Sequence, residues 1–239
     1  MVGPSLLDRI FTLQEEVLRR NATRNADRVG FISRALEAID EIGVSDTDWA
    51  TIPIEMRTLY NYFEGDSVST LISATRLCLH GCETDAFALM RIVLENLTIL
   101  DYIATKRLHR EAFAELQGRS RRGRPFSDHF SYEAAARETD ATDRRRRLRG
   151  HLSVLGSHAS PSRLALSRTQ RGGVDHLKIG VALDNPRVRQ ALGELAALAL
   201  FAARVVGGCF QAYLPALPAR YAESASALEE AYVSLQADE

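Results

Sequence analysis

Thr84, Ala88, Arg91, Glu95, Thr98 and Tyr102 follow one another at steps of 4, 3, 4, 3 and 4 residues, the spacing that aligns side chains along one stripe of an α-helix. All but Ala88 are polar. Phe87, Met90, Ile92, Val93, Leu94, Leu97, Ile99, Leu100 and Ile103 cover most of the remaining circumference, as expected of a helix surrounded by others. On such a helix Arg91 and Glu95 either face water or are buried as a hydrogen-bonded pair, because a lone buried charge is too costly. They are therefore a salt bridge of the scaffold, or part of a pocket in which Arg91 clamps an anion and Glu95 orients it.

A second set of reactive side chains lies in His151-Leu-Ser-Val-Leu-Gly-Ser-His158, whose histidines point the same way on a continuous helix. Gly156 and Ala159-Ser160-Pro161 place the helix end near His158. There the macrodipole favours an imidazolium, which suits proton transfer or contact with an anion. A hydrogen-bonded structural histidine is the plainer alternative. Immediately upstream, Gln117 to Gly150 holds ten arginines against five acids, in a chain of net charge −1. Arg144, Arg145, Arg146, Arg147 and Arg149 could track an RNA backbone by counterion release, or form a solvated charged face. Arginine outnumbers lysine 28 to 2, a bias that genomic base composition produces without functional demand.

Helices must position these groups. Leu6, Ile10, Leu13 and Val17 share one face and Phe31, Ala35, Ile39 and Ile42 another, which predicts an N-terminal helical pair over residues 1–42. The turn formers of GVSDTDWATIP predict a loop, with Pro53 opening the next helix. Apolar spacing then predicts helices over Ile54 to Phe63, Ser67 to His80 and Glu83 to Ala104, with breaks at Glu64-Gly65-Asp66 and His80-Gly81-Cys82. Residues 117–150 read as a lid or exposed excursion carrying a short helix at Tyr132 to Glu138. Leu148, Leu152 and Leu155 turn the following helix inward. Leu164 to Arg168 and His176 to Leu183 flank a Gly-Gly turn and predict a small β-hairpin near 163–183. A long helix from Asn185-Pro186 to about Tyr213 and a last one at 219–236 complete the chain. The expected fold is mainly α, a single helical bundle over 1–239 with its core at 54–215.

Composition narrows the function classes. Hydrophobic residues make up 46% and charged residues 26%, ordinary globular usage. Leu195 to Phe210 is interrupted by Arg204 and is shorter than the roughly 20 residues of a membrane span. The N-terminus lacks a basic segment followed by an apolar run, so a cytoplasmic protein without a membrane partner is expected. Cys78, Cys82 and Cys209 are an odd set that fits free thiols in a reducing compartment. Cys78-Leu-His80-Gly-Cys82 could offer metal ligands, yet one cluster without a second Cys/His pair favours buried thiols, and no metal or cofactor is expected. Phosphate-loop, dinucleotide, zincin, nucleophile-elbow and Glu-x-x-His patterns do not occur.

The succession of GCETDAFALMRIVLENLTILDYI, an insert, HLSVLGSHASPS and a hairpin resembles a bacterial family of helical proteins related to the HEPN superfamily, over roughly residues 60–185. Proteins of that superfamily are helical and commonly dimeric. Many are metal-independent ribonucleases of toxin–antitoxin, abortive-infection or CRISPR systems, and others only bind. By this resemblance Arg91 and Glu95 match an Arg-x-x-x-Glu motif, and Ser153 and His158 a Ser-x-x-x-x-His motif. The superfamily's catalytic Arg, four to six residues and a His, is met by Arg144, Arg145 and Arg146 with His151, although arginine follows each where the signature has Asn, Asp or His. The resemblance implies attack of an RNA 2′-hydroxyl on its phosphate, His158 or His151 moving the proton and Arg91 holding the phosphate. It also implies a homodimer with an antitoxin or other protein partner. Two further readings stand beside it: a noncatalytic interaction module, and a small-molecule pocket around Arg91, Glu95 and His158.

Overall fold

The computed structural model describes residues 5–42, 46–105, 110–112, 130–138, 142–156, 168–171, 174–177, 187–211 and 219–237. Helix α1 (Leu6–Arg24) starts at a capping box, in which the Asp8 amide donates to Ser5 Oγ and the Ser5 amide to the Asp8 carboxylate. Ser5 Oγ also donates to Asp8 Oδ2 at 2.7 Å, and this bond first, then that from the Ser5 amide, holds the Asp8 carboxyl below its usual range. At Asn25 (φ −122°, ψ 35°) the backbone leaves helical geometry, and α2 (Ala26–Asp40) follows at once. Phe31, Ala35, Ile39 and Ile42 are buried, so the second predicted face points inward, and on the α1 stripe Val17 is buried. Ile10 and Leu13, nearer the N-terminus of the same α1 stripe, are more than a third exposed.

The sequence GVSDTDWATIP does not stay a loop: Asp46–Thr51 forms a short helix, α3. Its half-buried Trp49 packs edge-on against Tyr60, ring centroids 5.6 Å apart, and that aromatic packing outweighs weak local propensity. The expected break at Glu64-Gly65-Asp66 is likewise absent, because α4 runs unbroken from Ile54 to Leu79. An interior glycine costs a helix only about 1 kcal/mol. Here Asn96 Nδ2 donates to Asp66 Oδ2 at 2.7 Å from the neighbouring helix, while Leu71, Ala74 and Cys78 bury the next turns.

The break at His80-Gly81-Cys82 is real. Gly81 takes φ 77°, the Cys82 amide donates to the Leu77 carbonyl at 2.8 Å and the Gly81 amide to that of Cys78 at 2.9 Å. This is a Schellman closure, with glycine at its left-handed position. Asn21 Nδ2 donates to the Leu79 carbonyl at 2.9 Å and His80 Nδ1 to that of Gln14 at 3.2 Å, pinning α1 across the end of α4. Helix α5 (Glu83–Thr105) then turns back along α4.

Around α5 the chain is mainly helical. Beyond it come α6 (Tyr132–Glu138), α7 (Thr142–Gly156), strands β1 (Arg168–Arg171) and β2 (Val174–Leu177), α8 (Arg187–Gln211) and α9 (Ala219–Ala237). Helices α4, α6, α7 and α8 all pack on α5, whereas α2 packs on α8 and α9. Ala86, Met90, Val93, Leu97 and Ile103 of α5 are 0% exposed, and each large apolar side chain so buried contributes about 1.5–3 kcal/mol. Helix α8 is long and apolar enough to cross a membrane by length and composition, but 67% of its apolar window is buried inside the bundle, which is the character of a core helix. Asp27 accepts from Arg28 Nη1 at 2.7 Å and faces Arg189 Nη2 at 3.5 Å, joining α2 to α8.

The two strands pair antiparallel, Arg168 opposite Leu177 and Arg171 opposite Val174. They lie closer to Gly172-Gly173 than the apolar runs suggest. The segments GRSRRGRP and PALP, and Asn185-Pro186, lie outside the described residues.

Candidate functional site at the α5–α7 seam

Helix α7 lies on α5 because Leu152 is fully buried and Leu148 and Leu155 are partly so. The inward packing of α7 is the one that the spacing of Leu148, Leu152 and Leu155 predicts, and α6 rests on α5 as well. The packing of α7 also redirects one arginine of the charge run. Arg149 precedes Leu152 by three residues and so sits at the edge of the inward face.

Its guanidinium reaches the central polar stripe. Arg149 Nε donates to Glu95 Oε1 at 2.6 Å, and Arg91 Nε donates to the same oxygen at 2.9 Å. Arg149 Nη2 stands 3.1 Å from Glu133 Oε1 on α6, and its guanidinium carbon 4.4 Å from the centroid of the Tyr132 ring. The cluster thus holds two guanidiniums, two carboxylates and an aromatic platform from three helices. The side chains of Arg91, Glu95 and Arg149 are 26%, 25% and 27% exposed, so the group is neither sealed in the core nor fully solvated. Burial pulls the Arg149 pKa down, but the Glu95 hydrogen bond and charge, then Glu133 and Tyr132, outweigh it and the net shift is upward. Arg149 stays cationic in this setting.

Further along the stripe the polar residues turn inward. Thr98 is fully buried and donates to the Leu94 carbonyl at 2.7 Å, while Tyr102 is buried with its ring 6.3 Å from that of Phe130. In the other direction His151 is exposed, edge-on to Phe87 with ring centroids 6.3 Å apart, one turn before Arg91 on α5. The structure therefore joins Arg91, Glu95 and Arg149 and sets His151 beside them rather than among the partners of Glu95. Ser153 is half-buried on α7, and Arg146 and Arg147 are exposed. Arg144 and Arg145 belong to the first turn of α7, with side chains outside the described residues. His158 lies outside them altogether.

Tyr132 and Glu133 carry part of the site and were not singled out by residue pattern. The signal was the short helix at Tyr132, which had no reason to form in an exposed excursion unless its apolar side covered something.

The other candidate clusters resolve differently. Burial pushes the thiols of Cys78 and Cys209 well above their usual range, and His80 is engaged by the Gln14 carbonyl. Among the described residues no group of three or more His, Cys, Asp or Glu converges. An apolar cleft lined by Trp49, Ile52, Met56, Tyr60, Leu100, Cys209 and Phe210 contains none of the polar cluster.

Comparison of the chain with protein-family models, curated proteins and solved structures finds no match. Its chemistry has to be read from the α5–α7 seam itself.

Proposed function

We propose that the protein is a HEPN-like RNA-binding protein that cleaves RNA without a metal ion at the α5–α7 seam. One observation carries this reading: Arg149, from the arginine-rich helix, closes on the Arg91–Glu95 pair, so the basic segment and the polar stripe belong to one partly exposed site. Exposed Arg146 and Arg147 on the same helix would track the backbone electrostatically. In the cleavage step the RNA 2′-hydroxyl attacks the adjacent phosphate, forming a 2′,3′-cyclic phosphate as the P–O5′ bond breaks. His158 or the exposed His151 takes the proton of the attacking hydroxyl, a proton returned from the imidazolium leaves with the 5′-oxygen as a hydroxyl, and Arg91 stabilises the charge developing on phosphate oxygen. The family resemblance supports a cytoplasmic role in bacterial defence or toxicity, as a homodimer with an antitoxin or similar partner.

A second reading, a noncatalytic interaction module, is favoured by α1, where Ile10, Phe11 and Leu13 remain exposed beside buried Val17. Cleavage of labelled total RNA in chelator separates the two, using wild type, Arg91→Ala and His158→Ala at matched folding. Chelator-resistant cleavage lost in both variants supports the ribonuclease. Binding without cleavage reduces it to an RNA-binding protein, and neither activity leaves the interaction module.

A further inference from the structure

The sharing of one carboxylate oxygen by two arginines has a chemical reading of its own. Arg91 and Arg149 each direct an Nε–H at Glu95 Oε1. Tyr132 beneath and Glu133 beside Arg149 fix the plane of its guanidinium. Guanidinium forks accept carboxylate and phosphate with the same geometry, but phosphate offers more oxygens and more charge. Glu95 therefore occupies the place that a phosphate group would take between the two forks.

We propose that Arg91 and Arg149 form a two-arm clamp for one phosphate group, and that Glu95 is the internal anion that keeps the clamp assembled until phosphate displaces it. The assignment of that phosphate to an RNA strand rests on the proposed function, whereas the clamp itself does not. Arg149, which the sequence offers only as one of a basic run along an RNA backbone, becomes one arm of a clamp on a single phosphate, Tyr132 its positioning platform, and Glu95 a competitor of the ligand. The last role has an unusual signature. Removing the charge of a merely structural salt bridge loosens a site, but removing the charge of Glu95 tightens binding of an anion.

The test follows the arginine Nε–H signals by nuclear magnetic resonance while inorganic phosphate is added to the full chain. Arg91→Lys and Arg149→Lys assign the two signals. In wild type both signals move together along one saturable curve, and in Glu95→Gln the curve saturates at about fivefold lower phosphate, the factor that relief of a partly exposed ion pair supplies. Movement of only one signal, or weaker binding in a folded Glu95→Gln, overturns the clamp. Should Glu95→Gln not fold, Glu95→Asp serves in its place, since the shorter side chain draws the carboxylate back from both guanidiniums and must also tighten binding.

A parallel titration with a short single-stranded RNA, read by fluorescence anisotropy, separates the two claims. Phosphate that moves both signals without any RNA binding keeps the clamp and removes the RNA reading. RNA that binds without moving either signal does the reverse. If both hold, Arg149→Gln lowers the slope of log affinity against log salt by about 0.7.

Discussion

Two adjacent glycines in α8 face opposite surroundings, and that contrast can be measured. A methyl group built on Gly207 would stand 1.8 Å from Tyr221 Oη, 2.3 Å from its Cζ and 2.7 Å from its Cε1, whereas one on Gly208 meets nothing within 4 Å. Tyr221 has no easy retreat, since it is 6% exposed and its hydroxyl donates to the Ala203 carbonyl at 2.6 Å. Gly207→Ala should gain up to about 1 kcal/mol of helix propensity. Against that stand about 1–3 kcal/mol of overpacking and about 1 kcal/mol for the displaced hydrogen bond. The expected net is a loss of about 2 kcal/mol. Gly208→Ala keeps only the propensity gain and should stabilise by about 0.5–1 kcal/mol. Urea unfolding followed by far-ultraviolet circular dichroism reads both, with unchanged denaturant slopes. Combining Gly207→Ala with Tyr221→Ala should recover part of the loss, as coupling between touching side chains requires. Equal midpoints for the two single alanine variants would refute the close approach of α8 and α9 through Tyr221.

Further expectations concern thiols and the α5–α7 contact. Burial raises the thiols of Cys78 and Cys209 above their unfolded value of about 8.5. Their contribution is therefore fully present below that pH and is lost as pH rises, by about 1.4 kcal/mol per thiol and pH unit. The urea midpoint should fall between about pH 8.5 and 10, and less so in Cys78→Ala/Cys209→Ala. A flat profile would contradict their burial. Leu152→Ala removes a side chain of 0% exposure and should cost about 2–5 kcal/mol, whereas Val154→Ala, at a position 42% exposed, should change stability by no more than about 0.5 kcal/mol.

Periodicity made several helices readable: α1, α2, α5 and α7 lie close to where their apolar spacing places them, although the N-terminal part of the α1 stripe is exposed. Reading failed where local signals are weak against packing. Gly65 looks like a stop, yet α4 runs through it, and the turns that follow are anchored by the Asn96–Asp66 bond and by buried Leu71, Ala74 and Cys78. Asp46–Thr51 looks like a loop until Trp49 finds Tyr60 and Phe210. The site was half legible. Arg91 and Glu95 stood out because polar residues interrupt an apolar helix, but Arg149 was hidden in a run of like charges, where only its phase relative to Leu148, Leu152 and Leu155 distinguishes it from its neighbours. Tyr132 and Glu133 could not be paired with Arg149 without knowing that α6 folds onto α5.

The Schellman closure at Gly81 also bears on how the chain reaches this structure. It joins α4 and α5, the most extensively packed helix pair among the described elements, through a connection of three residues. Closing so short a loop costs little chain entropy, and local contacts are rewarded before distant ones. The α4–α5 hairpin should therefore form early and serve as the surface on which α7 and α8 condense. Truncations inside it, such as Leu97→Ala, should mainly slow folding, whereas truncations at the later α7 contact, such as Leu152→Ala, should mainly speed unfolding. The seam that carries the arginine cluster would then be the last part of the core to assemble and the first to open.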